Sequence, residues 1–99
     1  MDEERLPNIH PGEILREEFL LPVEMTPYAL AKKLNVPRTR IERIVAEKIG
    51  ISADTALRLG KFFKTTPEFW LGLQSTYDLK IGAAAIQKEL EAIPEREAA

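Results

Sequence analysis

Apolar residues recur every three or four positions along most of this 99-residue chain, a spacing that predicts helices. No stretch alternates apolar and polar residues between turn residues for long enough to predict a strand. Prolines punctuate the helical pattern and separate one predicted helix from the next. The pattern therefore predicts an all-α fold, a compact bundle of five or six helices.

The first predicted helix follows His10, which is placed to act as its cap. Pro11 then takes the first helical position and Glu13 the third. The apolar residues of its core face are Ile14, Leu15 and Phe19. We expect Pro22 to end this helix, because proline lacks the N–H that a helix interior requires.

Three further helices are predicted in the second half of the chain. Ser52 caps the first of them, with Asp54 in its first turn, and Thr66 with Pro67 opens the next. The last is predicted to run through Ile81 to about Ile93. In the first of these helices we expect four apolar residues to be buried, namely Ala56, Leu59, Phe62 and Phe63. The apolar residues at helical spacing in the other two are Phe69, Trp70 and Leu73, and Ile86, Leu90 and Ile93.

The stretch between these regions, from Thr26 to Ile51, predicts two short helices joined by a tight turn. Thr26 suits the N-cap of the first helix, and Pro27 suits its first position, where no N–H is needed. Asn35 tolerates the left-handed conformation that ends a helix, and Pro37 begins the second one.

Each of these two helices has one apolar and one polar face. The residues predicted to face inward are Leu30, Ala31, Leu34, Ile41, Ile44 and Val45. The outer face of the second helix carries Arg38, Thr39, Glu42 and Arg43. Two short helices, a tight turn and a polar, basic outer face on the second helix describe a helix-turn-helix.

Charge is unevenly distributed, although the net charge of the chain is only −2. Residues 1–20 carry two arginines against six acidic residues, which gives −4, whereas residues 26–48 carry six basic residues against two glutamates, which gives +4. A local positive patch attracts phosphates and releases their counterions. A charged helix face is most often simply solvated, but this one coincides with the helix-turn-helix pattern, and the combination favours DNA binding.

Catalytic and metal-dependent functions lack the residues they need. The chain has no cysteine, which excludes disulfides and thiolate chemistry. His10 is the only histidine, whereas a metal site needs three or four ligands. Glu13, Glu17 and Glu18 share a face that we expect to be solvated, and solvation does not raise a carboxyl pKa for acid–base work. The sequence therefore predicts no catalytic residue, no metal and no cofactor.

The chain also lacks membrane signals. No apolar run approaches the roughly 18 residues of a membrane span, and the acidic N-terminus lacks the pattern of a signal peptide. We expect a cytoplasmic protein with an N-terminal tail over 1–9, one helix-turn-helix domain with C-terminal dimerisation helices over 10–93, and a frayed tail over 94–99.

Three segments together resemble the HigA-type antitoxins, a branch of the phage-repressor-like (XRE) helix-turn-helix superfamily. They are His10–Leu15 with Glu17–Phe19 behind it, the helix-turn-helix itself, and Ile51–Leu59 followed by Thr66–Leu71 and Leu73-Gln74. The resemblance spans residues 9–74. The opening combined with the Phe-Trp…Leu-Gln ending is more specific than a helix-turn-helix alone.

This chain departs from the family pattern at two places. Related sequences usually have Gly where Asn35 stands, and an Asn-Gly or similar turn after the recognition helix where this chain has Ala46-Glu47. The first change is mild, because Asn also tolerates the left-handed conformation. The second either lengthens the recognition helix or reshapes the loop through Lys48.

The resemblance implies that the second helix of the motif enters the major groove with its N-terminus first. Arg38, Thr39 and Arg43 match the base-reading positions of the superfamily. Arginine suits guanine because its fork engages O6 and N7 together, and each such contact discriminates between bases by about 1–3 kcal/mol.

Three residues are expected at the phosphates instead. They are Thr26, Arg40 and Lys48, the first acting together with the N–H groups at the start of its helix. Glu42 on the outer face either accepts from a cytosine amine or holds Arg38 in an intrahelical pair, and we favour the pair.

A module this small offers few base contacts, so we expect a homodimer on a palindromic double-stranded operator. The interface candidates are Phe69, Trp70, Leu73 and Tyr77, with Leu79 and Ile81 also available; the alternative is that they complete the protomer core. The resemblance further implies a HigB-like ribonuclease toxin as partner. The acidic first twenty residues suit a basic nuclease surface.

Three functions are therefore considered. The first is an antitoxin that neutralises its toxin and represses its own operon. The second is a free-standing transcriptional regulator of the same fold, and a neighbouring short gene for a basic protein would separate the first from the second. The third is a protein-interaction module without DNA binding, which the intact Arg38–Arg43 face disfavours.

Overall fold

The computed structural model describes residues 8–97, and all regular secondary structure in that range is helical. Helix α1 covers Pro11–Ile14 and continues as a π-helical segment over Leu15–Leu20 and a 3-10 turn over Leu21–Val23. The helix therefore runs one residue past Pro22 before the chain turns. The helices that follow are α2 (Pro27–Leu34), α3 (Arg38–Val45), α4 (Ala53–Phe63), α5 (Pro67–Ala85) and α6 (Gln87–Ala92). The predicted all-α fold with a helix-turn-helix, α2 and α3, is confirmed.

Side-chain caps begin four helices at the predicted residues. Each cap satisfies one of the backbone N–H groups that have no partner in the first turn of a helix. The acceptor side chains and the residues whose N–H they bind are His10 and Gly12 at 2.9 Å, Thr26 and Ala29 at 3.0 Å, Ser52 and Thr55 at 3.3 Å, and Thr66 and Phe69 at 3.1 Å. The capping role predicted for His10 is thus confirmed.

One hydrophobic core lies between these helices, and Trp70 of α5 is among its fully buried members. The Trp70 indole Nε1 donates to Thr65 Oγ1 at 2.8 Å, so its one polar atom is satisfied. The other buried apolar residues are Leu15, Leu20, Leu30, Ala31, Leu34, Ile41, Ile44, Ile51, Ala56 and Leu59. They include five of the six residues predicted to face inward in the helix-turn-helix, while Val45 is half-buried.

Helix α1 packs closely on the recognition helix because Gly12 has no side chain. A Cβ at Gly12 would lie 1.8 Å from the carbonyl oxygen of Ile44, well inside van der Waals contact. The buried ring of His10 packs edge-on against Tyr77 of α5, with the ring centroids 4.9 Å apart. The start of α1 therefore contacts both the recognition helix and α5.

Four helical segments end at a non-glycine residue in the left-handed conformation. Their φ angles are 54° at Glu24, 58° at Asn35, 63° at Glu47 and 60° at Lys64. After α3, Lys48 N donates to Arg43 O and Glu47 N donates to Ile44 O, both at 2.9 Å. These are the two hydrogen bonds of a Schellman motif. The Ala46-Glu47 departure therefore does not lengthen the recognition helix, which ends at Val45, and Glu47 takes the left-handed position usually occupied by glycine.

The C-terminal helices differ from the prediction. Helix α5 runs without interruption to Ala85, so the predicted start of a sixth helix near Ile81 is wrong, and the break lies at Ile86. The chain has no proline between Leu73 and Ala85 to break the helix, and α5 continues through the Ser75–Asp78 stretch although its spacing resembles a capping box. The radius of gyration, 16.7 Å, exceeds the ~13 Å of a compact 100-residue domain. The compact bundle is thus extended by an arm, which we define as residues 79–93.

Candidate nucleic-acid interface

The three residues predicted to read bases lie together on the outer face of α3. Arg38, Thr39 and Arg43 are all exposed. The Arg38 guanidinium lies 3.6 Å from the carboxylate of Glu42 and 5.7 Å from the centre of the Tyr28 ring. The favoured intrahelical pair between Arg38 and Glu42 is confirmed, and it limits the directions in which Arg38 can point.

Arg43 and Lys48 differ from Arg38 in their surroundings. Within residues 8–97, no ion pair joins either of them to a carboxylate. Both side chains are exposed, Arg43 on α3 and Lys48 in the Schellman turn after it. A cation without a protein partner keeps its full attraction for an approaching phosphate or base edge. The predicted roles of Arg43 in base reading and Lys48 in phosphate binding stay predictions that this geometry allows.

Thr26 begins α2 on the exposed side of the motif. Its hydroxyl oxygen is engaged as the cap of Ala29 N, and because Pro27 has no N–H, the N–H of Tyr28 is left in the first turn without a helical partner. The N-terminal end of a helix carries a partial positive charge and commonly binds phosphate. The predicted phosphate contact at Thr26 is therefore compatible with its position.

Arg40, the third predicted phosphate contact, has a partner within the chain. Its Nη1 donates to Asp54 Oδ2 of α4 at 2.6 Å. The same oxygen accepts from Arg58 Nε at 3.0 Å. Hydrogen bonds from Arg40 first, and from Arg58 second, lower the pKa of the exposed Asp54 carboxyl. Arg40 is consequently held against α4.

Two arginines bind the carbonyl groups at the C-terminal ends of the two motif helices. Arg58 Nη1 donates to Leu34 O at 2.8 Å, at the end of α2. Arg16 Nη1 donates to Val45 O at the end of α3, and its guanidinium lies 3.3 Å from Glu47. A cation at this position satisfies a carbonyl without a helical partner and complements the negative end of the helix dipole.

The ion pairs of Arg16 also involve its own segment. The hydrogen bond to Glu17 is the largest influence that raises the pKa of Arg16, and Glu47 contributes a smaller one. Arg16 therefore stays charged while it joins the π-helical segment to the exit of the recognition helix.

Arg16 and Arg58 are not predictable as part of the site from the sequence. The only local signal was the spacing of Asp54 and Arg58, four residues apart on one helix, which favours an ion pair. Their bonds to carbonyl groups cross 29 and 24 residues of chain. No pattern within a helix predicts contacts of that range.

The residues predicted at a dimer interface separate into two groups. Trp70 is fully buried inside the protomer, so its assignment to the interface is wrong: it has no surface left for a partner, and the core alternative holds. Phe69 remains 39% exposed, whereas Leu73 and Tyr77 are half-buried. These three keep surface that a second protomer could contact.

Two other features, a metal site and a membrane-spanning helix, are absent from the described residues. No group of three or more His, Asp or Glu residues within 8–97 is arranged to hold a metal ion. In the same range, no helix is long and apolar enough to span a membrane.

Comparison with known proteins identifies the family. Residues 15–70 match the helix-turn-helix family. Virulence-associated protein I of Dichelobacter nodosus is 54% identical over 76 residues, which cover 77% of this chain and 70% of that protein. The structure of Pseudomonas aeruginosa antitoxin HigA with the higBA promoter superposes with a TM-score of 0.88 at 47% identity, covering 93% of this chain and 100% of that one. This chain belongs to the HigA-like helix-turn-helix family.

A second antitoxin structure also superposes closely on this chain. Antitoxin GraA in complex with its operator is 42% identical and superposes with a TM-score of 0.86, covering 95% of each chain. The resemblance inferred from the opening and the Phe-Trp…Leu-Gln ending is therefore confirmed. Because the superposition extends over nearly the whole chain, the arm formed by residues 79–93 belongs to the shared fold as well.

Proposed function

We propose that this protein is a DNA-binding antitoxin of a type II toxin–antitoxin system, which neutralises a HigB-like ribonuclease toxin and represses its own operon. One observation carries the DNA-binding part. The exposed basic face of α3 is presented on a backbone that superposes at a TM-score of 0.88 on the structure of a HigA with the higBA promoter. In this proposal, α3 lies in the major groove with its N-terminus directed at the bases.

Individual contacts follow from the exposure and pairing of the side chains. Arg43 has no carboxylate partner among the described residues, so it supplies a complete guanidinium fork for guanine. Arg38 and Thr39 lie one helical turn earlier, and Glu42 steers Arg38 along the helix. Phosphate contacts come from the start of α2 at Thr26 and from Lys48.

A gel-shift titration on the chain's own promoter tests the DNA-binding part. Arg43→Ala removes one guanine contact from each protomer, so a dimer loses two contacts of about 1–3 kcal/mol each, and binding weakens at least about 30-fold. Lys61→Ala is the matched control, since it removes an exposed cation in the last turn of α4, outside both the motif and the arm. Equal affinity of the wild type for promoter and scrambled DNA would contradict DNA reading altogether.

Dimerisation is the second part of the proposal. The arm of residues 79–93 exposes a series of large apolar side chains, with Leu79 at 70%, Ile86 at 46%, Leu90 at 45% and Ile93 at 64%. Burial of such a surface against a second copy is favourable by roughly 25 cal/mol per Å². A twofold dimer would place two α3 helices one DNA turn apart, about 34–36 Å.

Sedimentation analysis at micromolar concentration tests the dimer. Leu79→Glu places a charge in the proposed interface and is expected to give a monomer that binds its operator weakly. Leu57→Glu is the matched control, because Leu57 is 60% exposed on α4 and lies outside the arm. A dimer that persists in Leu79→Glu would place the interface elsewhere.

Toxin neutralisation is the third part. The segment that follows α1 carries exposed Glu17 and Glu18, and residues 1–20 have a charge of −4, from two arginines against six acidic residues. An acidic surface of this kind complements a basic nuclease and speeds their association.

Co-expression with the product of a neighbouring gene tests this part. We expect a small basic protein that arrests growth alone, co-purifies with this chain and loses its toxicity in its presence. Promoter binding without any such neighbour would favour the second candidate, a free-standing transcriptional regulator of the same fold.

A further inference from the structure

Asp54 lies at the centre of a hydrogen-bond network that joins three helices. Its Oδ2 accepts from Arg40 Nη1 of α3 at 2.6 Å and from Arg58 Nε of α4 at 3.0 Å. Arg58 also donates through Nη1 to the carbonyl oxygen of Leu34, the last residue of α2, at 2.8 Å. One carboxylate therefore connects the recognition helix, α4 and the turn of the helix-turn-helix.

The N-terminal half of α3 is packed into the core through Ile41 but has few polar contacts that fix its orientation. Pro37 occupies the N-cap position and provides no side-chain hydrogen bond to the first turn. The helix has only eight residues, too few to be stable without tertiary contacts. At its other end, Arg16 already holds Val45 O. The bond between Arg40 and Asp54 supplies the corresponding polar contact near the end that faces DNA.

We propose that Asp54, Arg40 and Arg58 are positioning residues that set the orientation of α3 for base reading, and that Arg40 does not contact phosphate. The proposal rests on the DNA-binding function proposed above. It replaces the phosphate role expected for Arg40 from the sequence.

The charges support a positioning role for Arg40. If Arg40 turned away to a phosphate, the Asp54 carboxylate would keep only Arg58 as a partner while the negatively charged DNA backbone approached. Like charges at short range repel. The interaction energy that Asp54 would lose with Arg40 therefore offsets the energy that Arg40 would gain at the phosphate. When Arg40 instead stays between α3 and α4, it keeps its hydrogen bond to the Asp54 carboxylate, and the outer face of α3 is ordered before DNA binds.

Fluorescence anisotropy with the full chain tests the proposal. The affinities for an operator duplex and for a scrambled duplex of equal length are measured over a series of salt concentrations. The variants are Asp54→Asn, Arg40→Gln and the double substitution. The control is Glu68→Gln, which removes an acidic charge at the matching place, the first turn of α5 after a threonine cap.

If the network positions α3, each of the two single variants is expected to lower the ratio of operator affinity to scrambled affinity by about tenfold. This is the change expected when side chains of the reading face must be ordered during binding and not before it. The double variant is no worse than either single variant, because both break the same contact. Arg40→Gln leaves the salt dependence unchanged, and Glu68→Gln leaves the ratio unchanged.

A phosphate role for Arg40 gives the opposite results and would overturn the proposal. Asp54→Asn would then bind both duplexes more tightly at an unchanged ratio, and Arg40→Gln would reduce the salt slope by about 0.9 for each lost contact. Lower melting temperatures with an unchanged ratio would also overturn it, since they indicate stability alone. A wild type that does not distinguish the duplexes would instead refute the proposed function, together with this inference.

Discussion

Glu47 and Lys64 both end a helix in the left-handed conformation, yet replacing them with glycine should have unequal effects. A left-handed residue with a Cβ is strained by about 1–2 kcal/mol, which glycine removes. Glycine also makes the unfolded chain more flexible, which costs about 0.4–1 kcal/mol. Lys64 has no side-chain ion pair among the described residues, so Lys64→Gly should stabilise the protein by about 0.5–1 kcal/mol from these two opposing effects.

Glu47→Gly relieves the same strain but also removes the ion pair with Arg16, whose two side chains are 38% and 39% exposed. Ion pairs at such exposure contribute about 0.2–1 kcal/mol. The net stabilisation should therefore be smaller, roughly 0–0.5 kcal/mol after that loss. The difference between the two variants measures how strongly Arg16 holds the exit of the recognition helix.

Urea unfolding followed by the fluorescence of Trp70 suits this measurement, because it is the only tryptophan and is fully buried. The protomer concentration is kept constant, since a dimer is stabilised by mass action. Lys64→Ala serves as the control: it removes the side chain but retains the strain. Destabilisation by Lys64→Gly would refute the strain reasoning, and equal gains in both glycine variants would refute a contribution from the Arg16 pair.

Two further predictions concern the packing and the charge of the motif. Gly12→Ala should destabilise the protein by about 1–3 kcal/mol in urea unfolding, because the new methyl group would press on the Ile44 carbonyl; Gly72→Ala, where a Cβ meets nothing within 4 Å, should be neutral or stabilising, and similar results for both would contradict the reasoning. Asp54 has a lowered pKa in the folded state, so its ion pairs stabilise the protein above the ordinary value of 3.8 and lose this effect as the pH falls through the lowered folded value. Wild type and Asp54→Asn should thus differ in urea midpoint at pH 7 and converge in acid below about pH 4; a constant difference down to pH 2 would contradict this origin.

The predicted elements that agree with the structure depend on short-range chemistry. A threonine or serine cap acts within three residues, a proline acts at its own position, and an apolar stripe repeats every turn. The caps at Thr26, Ser52 and Thr66 and the buried faces of α2 and α3 were therefore predictable. The boundary between α5 and α6 was not predictable in this way, because no local signal marks the break at Ile86.

Local sequence chemistry is sufficient to predict α1 to α4 and the start of α5, their caps, the basic outer face of α3 and the family. Which charged residues stay unpaired depends instead on contacts between helices that are distant along the chain. Arg40 and Arg43 are both arginines on one short helix, yet Arg40 is paired with Asp54 on α4 and Arg43 is paired with no carboxylate of the described residues. The same holds for Trp70 beside Phe69, one buried in the core and the other exposed. Periodicity fixes the face on which a residue lies, whereas its partners come from segments that only folding brings together.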